Sequence, residues 1–261
     1  MMVVGVLLAF PGSAYAQKKY TPEHKDVKAM ADRALKVLNK GDKYHGHNTM
    51  AALAIVEHSK RYLKRVPTDN SVVNTAVEHI RKQCEGKSFY NESEMYYPSM
   101  ALILLAEVDA ERNHDQILVL LDMLKKRQQS HGAYTYNNQK TGDCSQTQFA
   151  GLAMWVAKSH GFDVNIDMAT KTLNWFCKVS RAGQWAYMYD QTGKPTGGNT
   201  LSMQAAGISS VYLLADLLQL KNRVYDAASG GGATEGLGLP STVKIYIPPT
   251  DGQSQRKRSG P

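Results

Sequence analysis

Two turns rich in aromatic residues carry the densest chemistry of this sequence, with Tyr134 and Tyr136 in one and Trp185, Tyr187 and Tyr189 in the next. Stiff aromatic faces with polar tips bind sugars or flat lipids at little entropic cost. Recurring at matching places along a chain, such residues also brace a fold, and bracing is their commoner use. His45-Gly46-His47 sets two imidazoles close together, but a usable metal site needs a third ligand and none stands near in sequence. These are read as turn histidines. The three cysteines, Cys84, Cys144 and Cys177, allow at most one intramolecular disulfide. Cys84 and Cys177 end helices with apolar periodicity, where a thiol serves as a small buried hydrophobe. Their spacing matches no C-x2-C zinc pattern, so neither a metal nor a cofactor is expected.

Elements must exist to position these side chains, and the ends of the chain can be set apart first. Met1 to Ala16 runs from an apolar stretch, Val3 to Phe10, through Pro11-Gly12 to the small-x-small triplet Ala14-Tyr15-Ala16. That order fits a secretory signal peptide over residues 1–16, although no Lys or Arg precedes the apolar stretch. An exported protein, periplasmic or extracellular, is therefore expected. Residues 226–261 are rich in Gly, Pro and Ser and close on Arg256-Lys257-Arg258, a composition expected to stay disordered. The formal charge of +8 is spread along the chain rather than gathered in a nucleic-acid motif, so no nucleic-acid partner is expected.

Residues 17–225 are expected to form one repeat domain. Apolar quartets at i, i+3, i+4, i+7 recur as Val27/Met30/Ala31/Ala34, Val73/Ala76/Val77/Ile80, Ile117/Leu120/Leu121/Leu124 and, less perfectly, Ile166/Ala169/Thr170/Leu173. Between them lie stretches apolar on nearly all faces: Met50 to Val56, Met100 to Ala106, Phe149 to Ala157 and Ala205 to Leu218. A helix apolar all round is buried all round, whereas one with a single stripe is half-exposed. The pattern predicts outer helices near 22–39, 70–84, 113–128 and 165–178, alternating with inner helices near 48–65, 94–109, 145–160 and 200–220. The linkers repeat a Gly followed by an aromatic, at Gly41, Gly86, Gly132 and Gly183, which suggests left-handed helix caps covered by an aromatic ring.

The segments Gly132-Ala-Tyr-Thr-Tyr136, Thr141-Gly-Asp-Cys-Ser-Gln-Thr-Gln-Phe-Ala-Gly-Leu-Ala153 and Gly183-Gln-Trp-Ala-Tyr187 resemble the repeats of the squalene cyclase and protein prenyltransferase superfamily. The run Thr147-Gln148-Phe149-Ala150-Gly151-Leu152 is similar to that family's inner-helix opening, and is echoed by Thr49-Met50-Ala51-Ala52-Leu53 and Gln204-Ala205-Ala206-Gly207-Ile208. The resemblance implies an all-α fold, an α/α toroid. Four hairpins are fewer than the five to seven that close such a ring, so an open arc or partial ring is expected, with uncovered edges around Leu53 and Leu213.

The family's chemistry transfers poorly. Its D-x-D-D-T cyclase motif falls on Asp143-Cys144-Ser145-Gln146-Thr147, which puts Ser145 where the proton donor belongs, and a hydroxyl is too weak an acid to protonate an alkene. The prenyltransferase zinc set is also incomplete, because Asp143 and Cys144 are adjacent and no His follows Asn199. Asp143 remains the one catalytic candidate the resemblance marks, beside its commoner reading as a helix N-cap. Gln146 joins Tyr134, Tyr136, Trp185, Tyr187 and Tyr189 as a ligand-binding candidate. Three functions follow in order: a non-catalytic binding or scaffold protein for an apolar ligand or a protein partner; a divergent cyclase or transferase using Asp143; and an extracellular polysaccharide lyase on the same fold, with a glycan as ligand. Expected partners include a second copy or another envelope protein.

Overall fold

The computed structural model describes residues 21, 23–40, 45–86, 94–136 and 139–220. The expected leader at 1–16 and tail at 226–261 lie outside them, as do the linker residues Gly41, Tyr44, Phe89 and Tyr90 and the side chains of His45 and His47.

The fold is all-α, with eight α-helices among the described residues: α1 Lys25–Leu38, α2 His45–His58, α3 Ser71–Gly86, α4 Tyr96–Asp109, α5 His114–Arg127, α6 Cys144–Ser159, α7 Ile166–Val179 and α8 Leu201–Leu217. A π-helical turn, Ser59–Leu63, prolongs α2 and ends at Lys64 in the left-handed conformation. The even-numbered helices pack in order, α2 on α4, α4 on α6 and α6 on α8. The odd-numbered ones lie against them, α3 on α2, α5 on α4 and α7 on α8, and α3 also touches α5.

Burial follows the two helix classes. On α3 the stripe Val73, Ala76, Val77 and Ile80 is buried, and on α5 Ile117, Leu120, Leu121 and Leu124. Ten consecutive residues of α4, Tyr97 to Ala106, are buried, because α2 and α6 cover its two sides. Each fully buried Leu or Ile here contributes about 1.5–3 kcal/mol. Two of the sequence quartets do not fit. On α7 Ile166 is exposed and the buried stripe is Ala169, Thr172, Leu173 and Phe176. α1 has no buried residue and leaves Met30 exposed; among the described elements it packs chiefly against α2.

Polar ties hold the layers. Asn113, wholly buried at the head of α5, accepts from Arg81 of α3 and donates to the Leu105 carbonyl of α4. Glu107 of α4 pairs with Lys60 after α2 and with His160 after α6, at 3.2 Å for the histidine, linking three successive inner helices. Burial alone would raise the Glu107 carboxyl, but these two partners outweigh it and hold it below the usual range.

The glycine turns work differently from the expected helix caps. α5 and α7 end in extended residues, Gln128 and Ser180, and the glycines come several residues later. Ala182 and Gly183 both have positive φ, and Arg181 and Gln184 exchange backbone hydrogen bonds across them, which makes a two-residue type I′ hairpin. Gly86 simply ends α3. The glycine that does cap a helix is Gly161, with φ 87°: its N–H reaches the Lys158 carbonyl and that of Phe162 reaches Ala157, a Schellman motif closing α6.

A short antiparallel ribbon, β1 Gly142–Asp143 with β2 Met188–Tyr189, is the only sheet among the described residues. It pins the long connection 180–200 inside the fourth unit. Leu53 and Leu213 are half-buried rather than uncovered. The exposed apolar positions on the terminal inner helices are instead Met50 on α2 and Leu201, Ile208 and Tyr212 on α8. Among the described residues no helix is long and apolar enough to cross a membrane.

All three cysteines are free and buried. Burial pushes their thiols up, Cys84 and Cys144 to about 12 and Cys177 to about 11. The thiolate is the reactive form, so a thiol reagent is expected to leave the native protein essentially unmodified at pH 8 and to count three thiols once it is denatured. Rapid labelling of the native protein would contradict that burial.

Candidate functional site

The ribbon brings two distant turns together. Gly142 faces Tyr189 and Asp143 faces Met188, while the Cys144 N–H donates to the Tyr187 carbonyl at 2.9 Å. Position 142 must lack a side chain, since a Cβ there would lie 2.5 Å from the Trp175 ring. On its other side the Asp143 N–H donates to the Tyr134 carbonyl at 2.9 Å. Thr147 locks the same strand by accepting from the Tyr134 N–H and donating to the Asp143 carbonyl.

Asp143 is therefore 0% exposed. Its Oδ1 accepts two hydrogen bonds, from the Gln146 N–H at 2.9 Å and from the Ser145 hydroxyl at 2.5 Å, so it is the N-cap of α6. Burial raises its carboxyl above the usual aspartate range, against the lowering effect of those two donors. The other oxygen, Oδ2, is buried without a partner. Gln146 is also fully buried; its Oε1 accepts the Met95 N–H at 2.8 Å, at the head of α4, and its amide lies beside the Tyr136 hydroxyl. Gln204 plays a similar part on α8, clasping the backbone of Trp185 through both ends of its amide.

Outward from Asp143 runs a chain of hydroxyls. Ser145 donates to Asp143 and shares a second hydrogen bond with the Tyr96 hydroxyl, 2.6 Å away. Tyr136 and Tyr187 reach the same Tyr96 hydroxyl from the two aromatic turns. Burial, with these neighbours, pushes the Tyr96 phenol far above the ordinary tyrosine value, so it stays protonated. The Tyr96 ring stands edge-on to Phe149, 5.2 Å between centroids. Tyr136 also lines an open polar cleft of about 520 Å³, bounded by Lys126, Arg127, Gln128, Gln129, Ser130 and Thr135.

The site candidates thus divide. Asp143, Gln146, Tyr136 and Tyr187 come together at the N-terminal end of α6, with Tyr136 and Tyr187 partly exposed. Tyr134, Trp185 and Tyr189 are core residues. The Tyr134 ring is wholly buried; the Trp185 indole donates to the Phe176 carbonyl at 2.9 Å; Tyr189 packs edge-on to Trp175 and accepts the Ala186 N–H. Tyr96 is the residue the sequence reading missed. Its signal was its place at the opening of the second inner helix, one unit before Ser145. Arg181 and His131, the basic residues of the two aromatic turns, are not in the cleft lining. His131 is half-buried and its Nδ1 accepts the Ala133 N–H. Among the described residues no three His, Cys, Asp or Glu side chains gather as metal ligands.

No family model, no curated protein and no solved structure matches this chain. Its function must therefore be argued from the site.

Proposed function

We propose that this chain is an exported, non-catalytic binding protein, built as a partial ring of helical hairpins of the squalene cyclase and prenyltransferase type, that takes its ligand at the tyrosine-lined end of its inner helices. The inner row α2, α4, α6 and α8, flanked by α3, α5 and α7, supports the ring-type arrangement. The observation that carries the non-catalytic reading is the enclosure of Asp143. The carboxyl is 0% exposed, and its Oδ1 is occupied by the Gln146 N–H and the Ser145 hydroxyl as the cap of α6. An acid catalyst has to present its proton to substrate, and a base has to be unprotonated. Asp143 does not do the first and Tyr96 does not do the second.

What faces outward are two stiff, partly exposed tyrosines beside an open cleft of polar and basic side chains. That surface favours a polyhydroxylated, glycan-like ligand over a purely apolar one, because its rings stack and its amides and hydroxyls accept or donate. Mass spectrometry of molecules that co-purify with the exported protein is expected to find such a ligand. Tyr136→Ala and Tyr187→Ala should each weaken its binding about tenfold, the loss of one aromatic contact of roughly 1–1.5 kcal/mol. Incubation with squalene or with acidic polysaccharides should give no product. A cyclised or cleaved product that vanishes in Asp143→Asn would refute the reading.

A further inference from the structure

α1 is the one α-helix among the described residues without a buried position, and the surface it leaves to solvent is patterned. Its inner side, Val27, Ala31, Leu35 and Leu38, is half-buried, and it packs chiefly against α2. Met30, Ala34 and Val37, spaced by four and three residues, share a line along the outer side. Met30 is 59% exposed and Val37 66%, with Ala34 exposed between them. Beside that apolar line the helical period sets a strip of exposed cations: Lys25, Arg33 and Lys36, with Lys40 just past the helix end. None of the four pairs with a carboxylate among the described residues. Asp32 is turned toward α2, where it accepts from Lys28 and pairs with His58, each at 2.8 Å. Asp26, in the first turn, is the single acid left on the outer side.

We propose that α1 lies on the surface of an anionic phospholipid bilayer, with Met30, Ala34 and Val37 sunk to headgroup level and the neighbouring cations on lipid phosphates. Helices that lie in the plane of a membrane surface combine strong amphipathicity, low overall hydrophobicity and a polar side rich in Lys and Arg. α1 has all three. Charge selects this occupant, since four cations against one acid, in a chain of net charge +8, complement a sheet of phosphates. The apolar line argues against a folded protein in its place. Three side chains without an aromatic ring fall far short of the roughly 20–30 residues a side, gathered round buried Trp, Tyr or Arg anchors, of a standard protein interface. A fluid bilayer needs no matching shape. Small apolar side chains dip below the headgroups while Lys and Arg stems carry their charges back to the phosphates, and each cation near the surface adds its own attraction. Met30 and Val37 sink too little area to hold by themselves, so the cations carry most of the binding and salt weakens it.

Cosedimentation of the full chain with vesicles tests this, using phosphatidylcholine alone and phosphatidylcholine mixed with an equal part of phosphatidylglycerol. Binding to the mixed vesicles is expected at about 50 mM salt and should be largely lost at about 500 mM, where charges are screened within a few ångströms. Arg33→Gln, Lys36→Gln and Lys40→Gln together should weaken it at least about tenfold, and Met30→Gln with Val37→Gln about threefold or more. All five positions are exposed, and circular dichroism checks that each variant is folded. Val37→Cys carrying an environment-sensitive dye should shift to the blue on the mixed vesicles, whereas Glu111→Cys, exposed between α4 and α5, should not; the native thiols are buried and stay unlabelled. The proposal fails if the mixed vesicles bind no better than the neutral ones. It fails if neutralising Arg256, Lys257 and Arg258 abolishes the binding while the α1 variants keep it. It fails too if the dye at position 37 stays in water, which would make α1 a face for an acidic protein rather than for lipid.

Discussion

Replacing Gly207 by alanine is expected to destabilise the protein by about 3 kcal/mol, among the larger effects of any single methyl group in this chain. A Cβ at position 207 would stand 2.1 Å from Cδ2 of Trp185, inside the indole ring rather than beside it. The ring has nowhere to go. It is nearly fully buried, and its N–H is committed to the Phe176 carbonyl at 2.9 Å. Overpacking a well-filled site costs about 1–3 kcal/mol, and stranding the buried indole and carbonyl adds about 1–3 kcal/mol. The better helix propensity of alanine returns only ~1 kcal/mol. Gly151→Ala on α6 is the control, since a Cβ there meets Leu214 at an ordinary 3.6 Å. Its midpoint in urea should hold or rise slightly while that of Gly207→Ala falls sharply. Equal midpoints would mean that Trp185 is not seated on Gly207.

Asp143 gives the second large effect, and its two substitutions should separate. Asp143→Ala removes the α6 cap, strands the buried Gln146 N–H and takes one of the two partners of the Ser145 hydroxyl, at a cost of about 2–3 kcal/mol. Asp143→Asn keeps a carbonyl oxygen that can accept both bonds and removes the charge, so at pH 7 it should be as stable as the native protein or more so. The pH dependence has a definite sign. Burial holds the folded carboxyl above its unfolded value of 3.8, so the folded state binds the proton more tightly. The stability this confers is complete below about pH 3.8 and is lost as pH rises through the folded value. Native stability relative to Asp143→Asn should therefore grow as pH falls through that window. A native protein that instead loses ground to Asp143→Asn on acidification would show that the carboxylate is held charged, by a partner for Oδ2.

Much of the helical order was legible because it is written in local periodicity. The stripes on α3 and α5 and the apolar run of α4 each state, within four turns of helix, how many faces must be covered. Capping is also local, so the role of Asp143 at the start of α6 could be read from one residue and its successors. The quartets on α1 and α7 misled because a stripe says only that a face is apolar, whereas its burial depends on what packs there. Among the described elements α1 packs chiefly against α2 and keeps Met30 in solvent. The linker glycines misled for a similar reason. Positive φ at Gly183 was foreseeable, but whether it closes a helix or a hairpin depends on the partner of Arg181, which is Gln184.

What the sequence by itself determined about this protein is a succession of alternating one-sided and all-round apolar helices, with polar caps at their heads. Only the tertiary structure decided that Tyr96, 49 positions before Ser145, shares a hydrogen bond with it, and that Tyr136 and Tyr187 close on the same hydroxyl. It likewise decided that α8 leaves Leu201 and Ile208 exposed while α4, equally apolar, is enclosed. The physical reason is the range of the interactions. Helix periodicity and capping are settled within a few residues, whereas burial and hydroxyl partners are properties of neighbours that the chain brings together only when it folds.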